Sequence, residues 1–533
     1  MKVFITTSGV GSNLGQLTKY MNKAMIKIGK KPVISYIIDQ YPDDVEFVIS
    51  LGYQSTHIVQ YLNLVYPNRK FIFVDVDNYD GPGSSQVYSM NNCKEYLQEP
   101  FIYNDCDTIC SYFDIDLNFN HDTLYGFKLN NYGHINYDTF DVIRNNYIAK
   151  LYKRGTHDNP MFVYVGIMCI YDYKYFWNCA DDMLKDQGHY SDFDVFNKYY
   201  LNEHPLYFKE VKDWIDTGTV DGIMNARKNC KDKLDILDKN NQAIFIINDK
   251  VIKFFTDSKI VSNIIERHNI LGDLTHKIIK HTENFFMYDF IEGDTAINSH
   301  MNKEKFKKMI SYFNIMGLWD KINNVDLNTY RKQYDEFYLN KAITRVNKFK
   351  KDYLINEDQD IYINDVLIPK ELTIENMLKV FKNIKEYKEA YPTNWHGDFT
   401  LENIIKNNDK YILIDCRDNF GGTTEYGDKL YDWGKMNHNF SFNFSSACKG
   451  LYYLKENDNV IEYSIMCDIE TYKCKEVLKD FVEQQGIRYD YIEFLSGLNW
   501  VTMSPLHPIG DLPLLLFYMG KLKMYESLRK LLN

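Results

Sequence analysis

The feature that most limits the fold is a repeated order of short apolar runs and turns near the start of the chain. Val3-Phe4-Ile5-Thr6-Thr7 reads as a buried strand and passes straight into Ser8-Gly9-Val10-Gly11-Ser12-Asn13-Leu14-Gly15. An apolar helical stretch follows to Ile38, then a second strand run, Glu46-Phe47-Val48-Ile49-Ser50, ending at Gly52-Tyr53. Strands that alternate with helices bury both faces of a sheet, so this order predicts an α/β fold with a parallel sheet. The glycine-rich loop after the first strand either brings backbone N–H groups to a phosphate or simply turns the chain tightly.

A second stretch carries chemistry. In Trp395–Asp418, His396-Gly397-Asp398 is followed by Asn403, and the apolar strand Tyr411-Ile412-Leu413-Ile414 ends on Asp415. Phosphoryl transfer needs one carboxylate to orient or accept the attacking hydroxyl, and an amide oxygen plus a second carboxylate to hold Mg²⁺ against nucleotide phosphates. Asp398, Asn403 and Asp415 fit those roles in that order; the bland alternative is that they cap an ordinary turn.

The 533 residues have room for roughly two to four domains of ordinary size. With 45% hydrophobic and 16% aromatic residues there is ample core material. A net charge of −11 with scattered Lys and Arg gives no basic stripe, which argues against nucleic acid and for small-molecule substrates. The ten cysteines form no CxxC pair, so they read as reduced thiols. The opening MKVFITTSG lacks a signal-like apolar segment and no 18-residue apolar run occurs. These features predict a soluble, cytoplasmic protein with no membrane partner.

The first 230 residues resemble the sugar-phosphate nucleotidyltransferases. The resemblance rests on Gly9, Gly11, Ser12, Leu14, Lys23, Gly29, Lys31, Pro32, Gly52 and Tyr53, then on Gly81-Pro82-Gly83-Ser84-Ser85, Asp107 and the string Trp214-Ile215-Asp216-Thr217-Gly218-Thr219. It implies a Rossmann-like domain in which Gly9, Gly11, Ser12 and Gly83 contact the nucleotide and Lys23 is the signature lysine. It further implies that Asp107 and Asp216 share one Mg²⁺, and that Lys153, rather than Lys150, meets the acceptor phosphate. Two residues depart from the family pattern: Asn13 stands where the family has a phosphate-gripping Arg, and Asn22 stands where it has a Pro. A polar stretch, residues 225–233, reads as a linker.

Residues 235–533 resemble the aminoglycoside phosphotransferase and choline kinase family, a branch of the two-lobed, α+β protein-kinase-like fold. The H-G-D-x-x-x-x-N set with its following I-D carries this, supported by a hairpin over residues 243–255, a helix bearing Glu266, and a hinge-like strand over 287–293. The resemblance implies that Lys253 meets ATP phosphates, that Glu266 holds Lys253, and that Asp428 and Asp432 are structural. Tyr489, Tyr491 and Trp500 suit either an aromatic cage for a quaternary amine or a helical core.

The combination predicts a bifunctional enzyme. ATP would phosphorylate a small alcohol or amino alcohol, and a second nucleotide, with CTP favoured, would couple the phosphate to give NDP–X and pyrophosphate. This resembles the pairing of choline kinase with phosphocholine cytidylyltransferase and, more broadly, capsule-precursor enzymes. The alternatives are a sugar kinase joined to an NDP-sugar pyrophosphorylase, and a chain in which one half is an inactive binding module, with Asn13 casting suspicion on the first.

Overall fold

The computed structural model describes every residue except 111–115, 130–134, 157–158, 186–187 and 233–240. The chain forms two compact units, Met1–Ser258 with Ile279–Phe290, and Lys259–Ile278 with Ile291–Asn533.

The first unit is built on a nine-stranded sheet. Its strands are β1 (Lys2–Thr6), β2 (Glu46–Leu51), β3 (Lys70–Asp75), β4 (Phe101–Asp105), β5 (Thr123–Phe127), β6 (Thr139–Ile143), β7 (Tyr147–Tyr152), β8 (Phe162–Ile170) and β9 (Tyr207–Glu210). They run in the order β3-β2-β1-β4-β8-β5-β9-β7-β6. Val3 and Ile5 of β1 enter one core with Ile34 and Ile37, whereas Phe4 enters another with Val87 and Met90. Side chains alternate across a strand, so β1 is covered on both faces, the condition for a central parallel strand.

The parallel expectation holds at one end of the sheet, over four of its nine strands. β3, β2, β1 and β4 are parallel neighbours, which is the doubly wound arrangement. Beyond them β8 runs antiparallel to both β4 and β5, so the whole sheet is mixed. All but the first residue of β8 are buried. An apolar run of that kind signals burial on both faces but carries no information about direction.

The segment read as a linker is partly helical. Val220–Asn229 forms a helix capped by the Thr219 hydroxyl, which accepts the Gly222 N–H at 3.0 Å, and Ile223 and Ala226 are buried. Its polar outer face is what resembles a linker in the sequence; Lys233, at the end of that stretch, lies outside the described residues.

The expected hairpin is present, with Gln242–Ile247 paired to Lys250–Phe255 across Asn248-Asp249. Both turn residues have positive φ, 48° and 56°, as a two-residue type I′ connection requires. Phe285–Asp289 and Ile278–His281 complete a four-stranded sheet. Its apolar face is buried in the first unit, with Phe254 4.8 Å from the His57 ring and Phe245 5.6 Å from Tyr61. The compact units therefore divide after Ser258, past the polar stretch.

The second unit is mainly helical, with a small sheet in which Ile404–Asn407 pairs with Lys410–Leu413 and Asp294–Thr295. Its long helices include Lys303–Ile315, Lys429–Ser441, Tyr489–Met503 and Leu512–Leu532. The helices Leu327–Asp335 and Lys341–Asp352 are joined by one π-helical turn, Glu336–Asn340. Tyr491 and Trp500 are core residues, and Tyr491 stacks on Phe381 at 4.7 Å. The core reading of these aromatics is thus the one the fold uses. Among the described residues no helix is long and apolar enough to cross a membrane.

Candidate active sites

In the first unit the candidate residues gather at the C-terminal ends of β1 and β4. Gly11 has φ +70°, and a Cβ there would sit 3.1 Å from Thr18 Cγ2 and 3.3 Å from Lys23 Cβ. Only glycine lets the loop close down on Lys23 in that conformation. Gly9 has open space around it, while Ser12 and Asn13 are exposed at the loop tip. Gly83 lies in a separate exposed turn, beside the Asn78 amide.

Asn22 proves to be a structural bracket. Its buried amide donates to Thr7 O and to Tyr53 O, both at 2.7 Å, and its oxygen accepts the Ala24 N–H at 3.0 Å. One side chain thereby ties β1, the Gly52-Tyr53 turn and the start of the Lys23–Met25 turn together. Replacing it by Ala strands two buried carbonyls and an N–H. Asn22→Ala is expected to destabilise the protein by about 2–4 kcal/mol, from the cost of unpaired buried groups, read as a fall in the urea midpoint.

Lys23 Nζ pairs with Asp107 Oδ2 at 2.8 Å. Burial opposes the ammonium, but Asp107, with Asp105 behind it, holds its pKa well above the ordinary value. Asp216 is brought to Asp107 by backbone pairing: it registers with Thr108, and the Thr217 N–H and hydroxyl both donate to Asp107 O at 2.8 Å. A Cβ on Gly218 would lie 3.1 Å from Asp107 Oδ2 and 3.1 Å from Asp216 Oδ1. The two carboxylates therefore flank a single point next to a residue with no side chain. Asp216 also accepts the Gly218 N–H at 2.7 Å and the Tyr137 hydroxyl at 2.9 Å. Burial raises its pKa; the Gly218 N–H opposes the rise and the Asp107 charge adds to it.

Two half-buried carboxylates that flank one point suit a hard divalent cation, and such oxygen donors fit Mg²⁺. Among the described residues no cluster of three or more His, Cys, Asp or Glu side chains that could hold a metal ion occurs.

Asp105, not singled out in the sequence, sits directly behind this pair. It accepts bonds from Thr6 (3.1 Å), Gln86 (2.9 Å) and Tyr103 (2.5 Å). Burial, then the Asp107 charge, push its pKa upward. Lys153 is ion-paired with Asp194 on the helix Asp192–Leu201.

In the second unit, Asp398, Asn403 and Asp415 are brought together. The Asn403 amide donates to both Asp398 O and Asp398 Oδ2 at 2.9 Å, so its oxygen remains to offer. The Ile414 N–H bonds Asn403 O at 3.0 Å and His396 Nε2 lies 2.9 Å from Ile414 O, which draws the strand end bearing Asp415 to the loop. Asp415 is exposed at φ +58°. A non-glycine residue in that region is uncommon and costs energy that functional sites are known to store. The Asn403 amide oxygen and the Asp415 carboxylate are donor types that suit Mg²⁺.

Lys435, absent from the sequence reading of the site, lies 2.8 Å from Asp398 Oδ1. Burial works against the Asp398 carboxylate, but Lys435 and then Arg417 outweigh it and hold its pKa well below the usual range. The loop itself hangs on Asp432, whose carboxylate accepts the His396 and Gly397 N–H groups, each at 2.7 Å, and Trp319 Nε1 at 3.1 Å. Asp428 accepts the Tyr334 and Tyr338 hydroxyls at 2.9 and 2.8 Å. Both are framework residues.

Lys253 is buried on the strand Lys250–Phe255 of the first unit, with its ammonium 5.9 Å from the centre of the Tyr288 ring. Glu266 belongs to the second unit, where its carboxylate accepts the Thr424 hydroxyl at 2.6 Å.

No protein-family model matches the chain. The bifunctional protein GlmU of Methanocaldococcus jannaschii is 24% identical over 259 residues, which are 48% of this chain and 60% of that relative. The chain thus spans less than two thirds of the length of the curated relative it matches. Among solved structures, the CTP:phosphocholine cytidylyltransferase LicC of Streptococcus pneumoniae aligns with 43% of this chain and 97% of its own, at 17% identity and a TM-score of 0.35. A UDP-glucose pyrophosphorylase complexed with UDP-glucose aligns with 43% and 97%, at 13% identity and a TM-score of 0.36. Over those 259 residues the chain is similar in sequence to the GlmU relative.

Proposed function

We propose that the chain is a bifunctional transferase, with a nucleotidyltransferase in its first half and an alcohol phosphotransferase in its second. The observation that carries the reading is that each compact unit holds its own group of oxygen-bearing side chains: Asp107 and Asp216 flank one point in the first, and in the second Asn403 bonds Asp398 and, through its carbonyl, the Ile414 N–H next to Asp415.

In the phosphotransferase half, the alcohol oxygen forms a bond to the γ-phosphorus of ATP as the bond to ADP breaks, and the hydroxyl proton leaves through Asp398. Lys435 keeps Asp398 ionised, which makes it a weak base and favours orientation of the hydroxyl with late proton transfer. In the nucleotidyltransferase half, an oxygen of the alcohol phosphate attacks the α-phosphorus of a nucleoside triphosphate and pyrophosphate leaves. Lys23 places a fixed positive charge at that site, and Lys153 is the residue assigned to the acceptor phosphate. Mg²⁺ held by Asp107 and Asp216, or by Asn403 and Asp415, would neutralise the phosphate charge that develops during transfer. The loop glycines Gly9, Gly11 and Gly83, with Ser12, are assigned to the second nucleotide. CTP is the favoured second nucleotide, and the product would serve as an activated head group for surface polysaccharide.

The test is to incubate the full chain with Mg²⁺, ATP and a panel of small alcohols and sugars, and to read ADP and new phosphate monoesters by mass spectrometry, with and without CTP or UTP. A monoester with ATP alone, and NDP–X when the second nucleotide is added, are expected. Monoester formation without NDP–X under any nucleotide would leave the first half as a binding module, the reading that the exposed, uncharged Asn13 favours.

A further inference from the structure

Next to Asp398 lies a cavity of about 30 Å³ whose polar lining is cationic: Lys341, Arg345 and Arg417, with Phe337, Tyr431 and Asn499. Among the described residues no carboxylate lines it. It shares a wall with the HGD loop, because Arg417 Nε donates to Gly397 O at 3.1 Å and Arg417 Nη2 to the Tyr431 hydroxyl at 3.0 Å. The guanidinium stands 5.3 Å from the centres of both the Phe337 and Tyr431 rings, which fixes its plane. The π-helical turn Glu336–Asn340 sits in the wall, carrying Phe337 and leading into Lys341, and such turns recur at functional sites.

Two features of this cavity are unfavourable unless something negative enters it. Asn499 is 4% exposed, and its Nδ2 has no hydrogen-bond partner among the described residues; an orphaned buried donor is a costly exception in folded proteins. Three cationic side chains also crowd one small space. Burial, then Arg417 and Arg345, lower the Lys341 pKa to about 7, while Asp418 and Glu336 oppose that only in part from outside the lining. A single water needs about 10–15 Å³ of such space, so the cavity admits the end of an oxyanion and no more.

We propose that this cavity is the acceptor's oxyanion subsite: the alcohol phosphorylated at Asp398 carries a carboxylate or phosphate-type group, held by Lys341, Arg345, Arg417 and the Asn499 amide. The inference rests on the phosphotransferase reading of the second unit and changes its substrate class. A quaternary amine would meet three like charges here and no carboxylate.

The experiment measures ADP release by the full chain with Mg²⁺ and ATP. Glycerate and glycerol phosphate are compared with glycerol, ethanolamine and choline, which also separates carboxylate from phosphate recognition. At least one anionic alcohol is expected to exceed the neutral and cationic ones by about 100-fold in kcat/KM. Lys341→Met and Arg345→Gln are each expected to raise its KM by roughly 10–100-fold, the scale of a hydrogen bond to a charged group, with the effect carried mainly by KM. Preference for choline or ethanolamine, or an unchanged KM in both variants, would overturn the subsite while leaving the kinase intact. A parallel measurement of sulfate binding, by the rise in thermal midpoint without ATP, separates the two ideas. If no alcohol is phosphorylated but the Lys341→Met/Arg345→Gln double variant loses sulfate protection, the oxyanion site stands and the phosphotransferase reading falls. Full sulfate protection in the double variant removes the assignment.

Discussion

Asp398→Asn is expected to cut ATP-dependent phosphorylation by roughly 10²–10⁴-fold, the usual worth of a positioned general base, while pyrophosphate release from added alcohol phosphate continues unchanged. The separation is expected because Asp398 belongs to one compact unit and Asp107 and Asp216 to the other. One confound can be removed by design. Lys435 sits buried against Asp398 Oδ1 at 2.8 Å, and removing the carboxylate leaves that ammonium without its partner, which is destabilising. A thermal melt of Asp398→Asn beside the Asp398→Asn/Lys435→Met double variant therefore accompanies the assay. Recovered stability with activity still absent assigns the loss to chemistry. Loss of both activities in a folded variant would show that the two halves do not act independently.

The second large effect concerns the carboxylates that flank Gly218. Asp107→Ala or Asp216→Ala should each lower nucleotidyl transfer by about 10³-fold or more, since each removes half of the protein's hold on a charge-neutralising cation. Asp107→Ala also strands Lys23, its 2.8 Å partner, so it should be the more damaging to stability. Asp216 loses only the Gly218 N–H and the Tyr137 hydroxyl. Phosphorylation of the alcohol by ATP should survive both changes. A near-normal transfer rate in either variant would take that residue out of the site.

Much of this was legible in the sequence because donor residues at strand ends travel in short strings. Asp107 follows the apolar run of β4, Asp216 lies in W-x-D-x-G-T, and Asp398, Asn403 and Asp415 fall within one loop and strand. Local spacing alone places such residues near one another. What stayed hidden depends on packing between distant segments. Lys435 meets Asp398 only because the helix Lys429–Ser441 turns that face inward. The brackets Asn22 and Asp432 act through backbone groups far along the chain, which no residue pattern advertises. The cationic cavity joins side chains from positions 337 to 499, and the direction of β8 depends on its neighbours rather than on its own apolar residues. Residues 225–229 looked like linker because a solvated helix face and a polar loop share a composition.

In the proposed bifunctional enzyme a phosphate passes from the second half of the chain to the first. ATP carrying ¹⁸O in the three terminal oxygens of its γ-phosphate, supplied with unlabelled CTP, Mg²⁺ and the accepted alcohol, tests it in one tube. Mass spectrometry of the NDP–X product is expected to find ¹⁸O at the two non-bridging oxygens of the X-side phosphate and at the P–O–P bridge, with light non-bridging oxygens on the nucleoside-side phosphate and unlabelled pyrophosphate released. NDP–X whose X-side phosphate carries no ¹⁸O, or heavy ATP consumed without any labelled monoester or NDP–X, would contradict it.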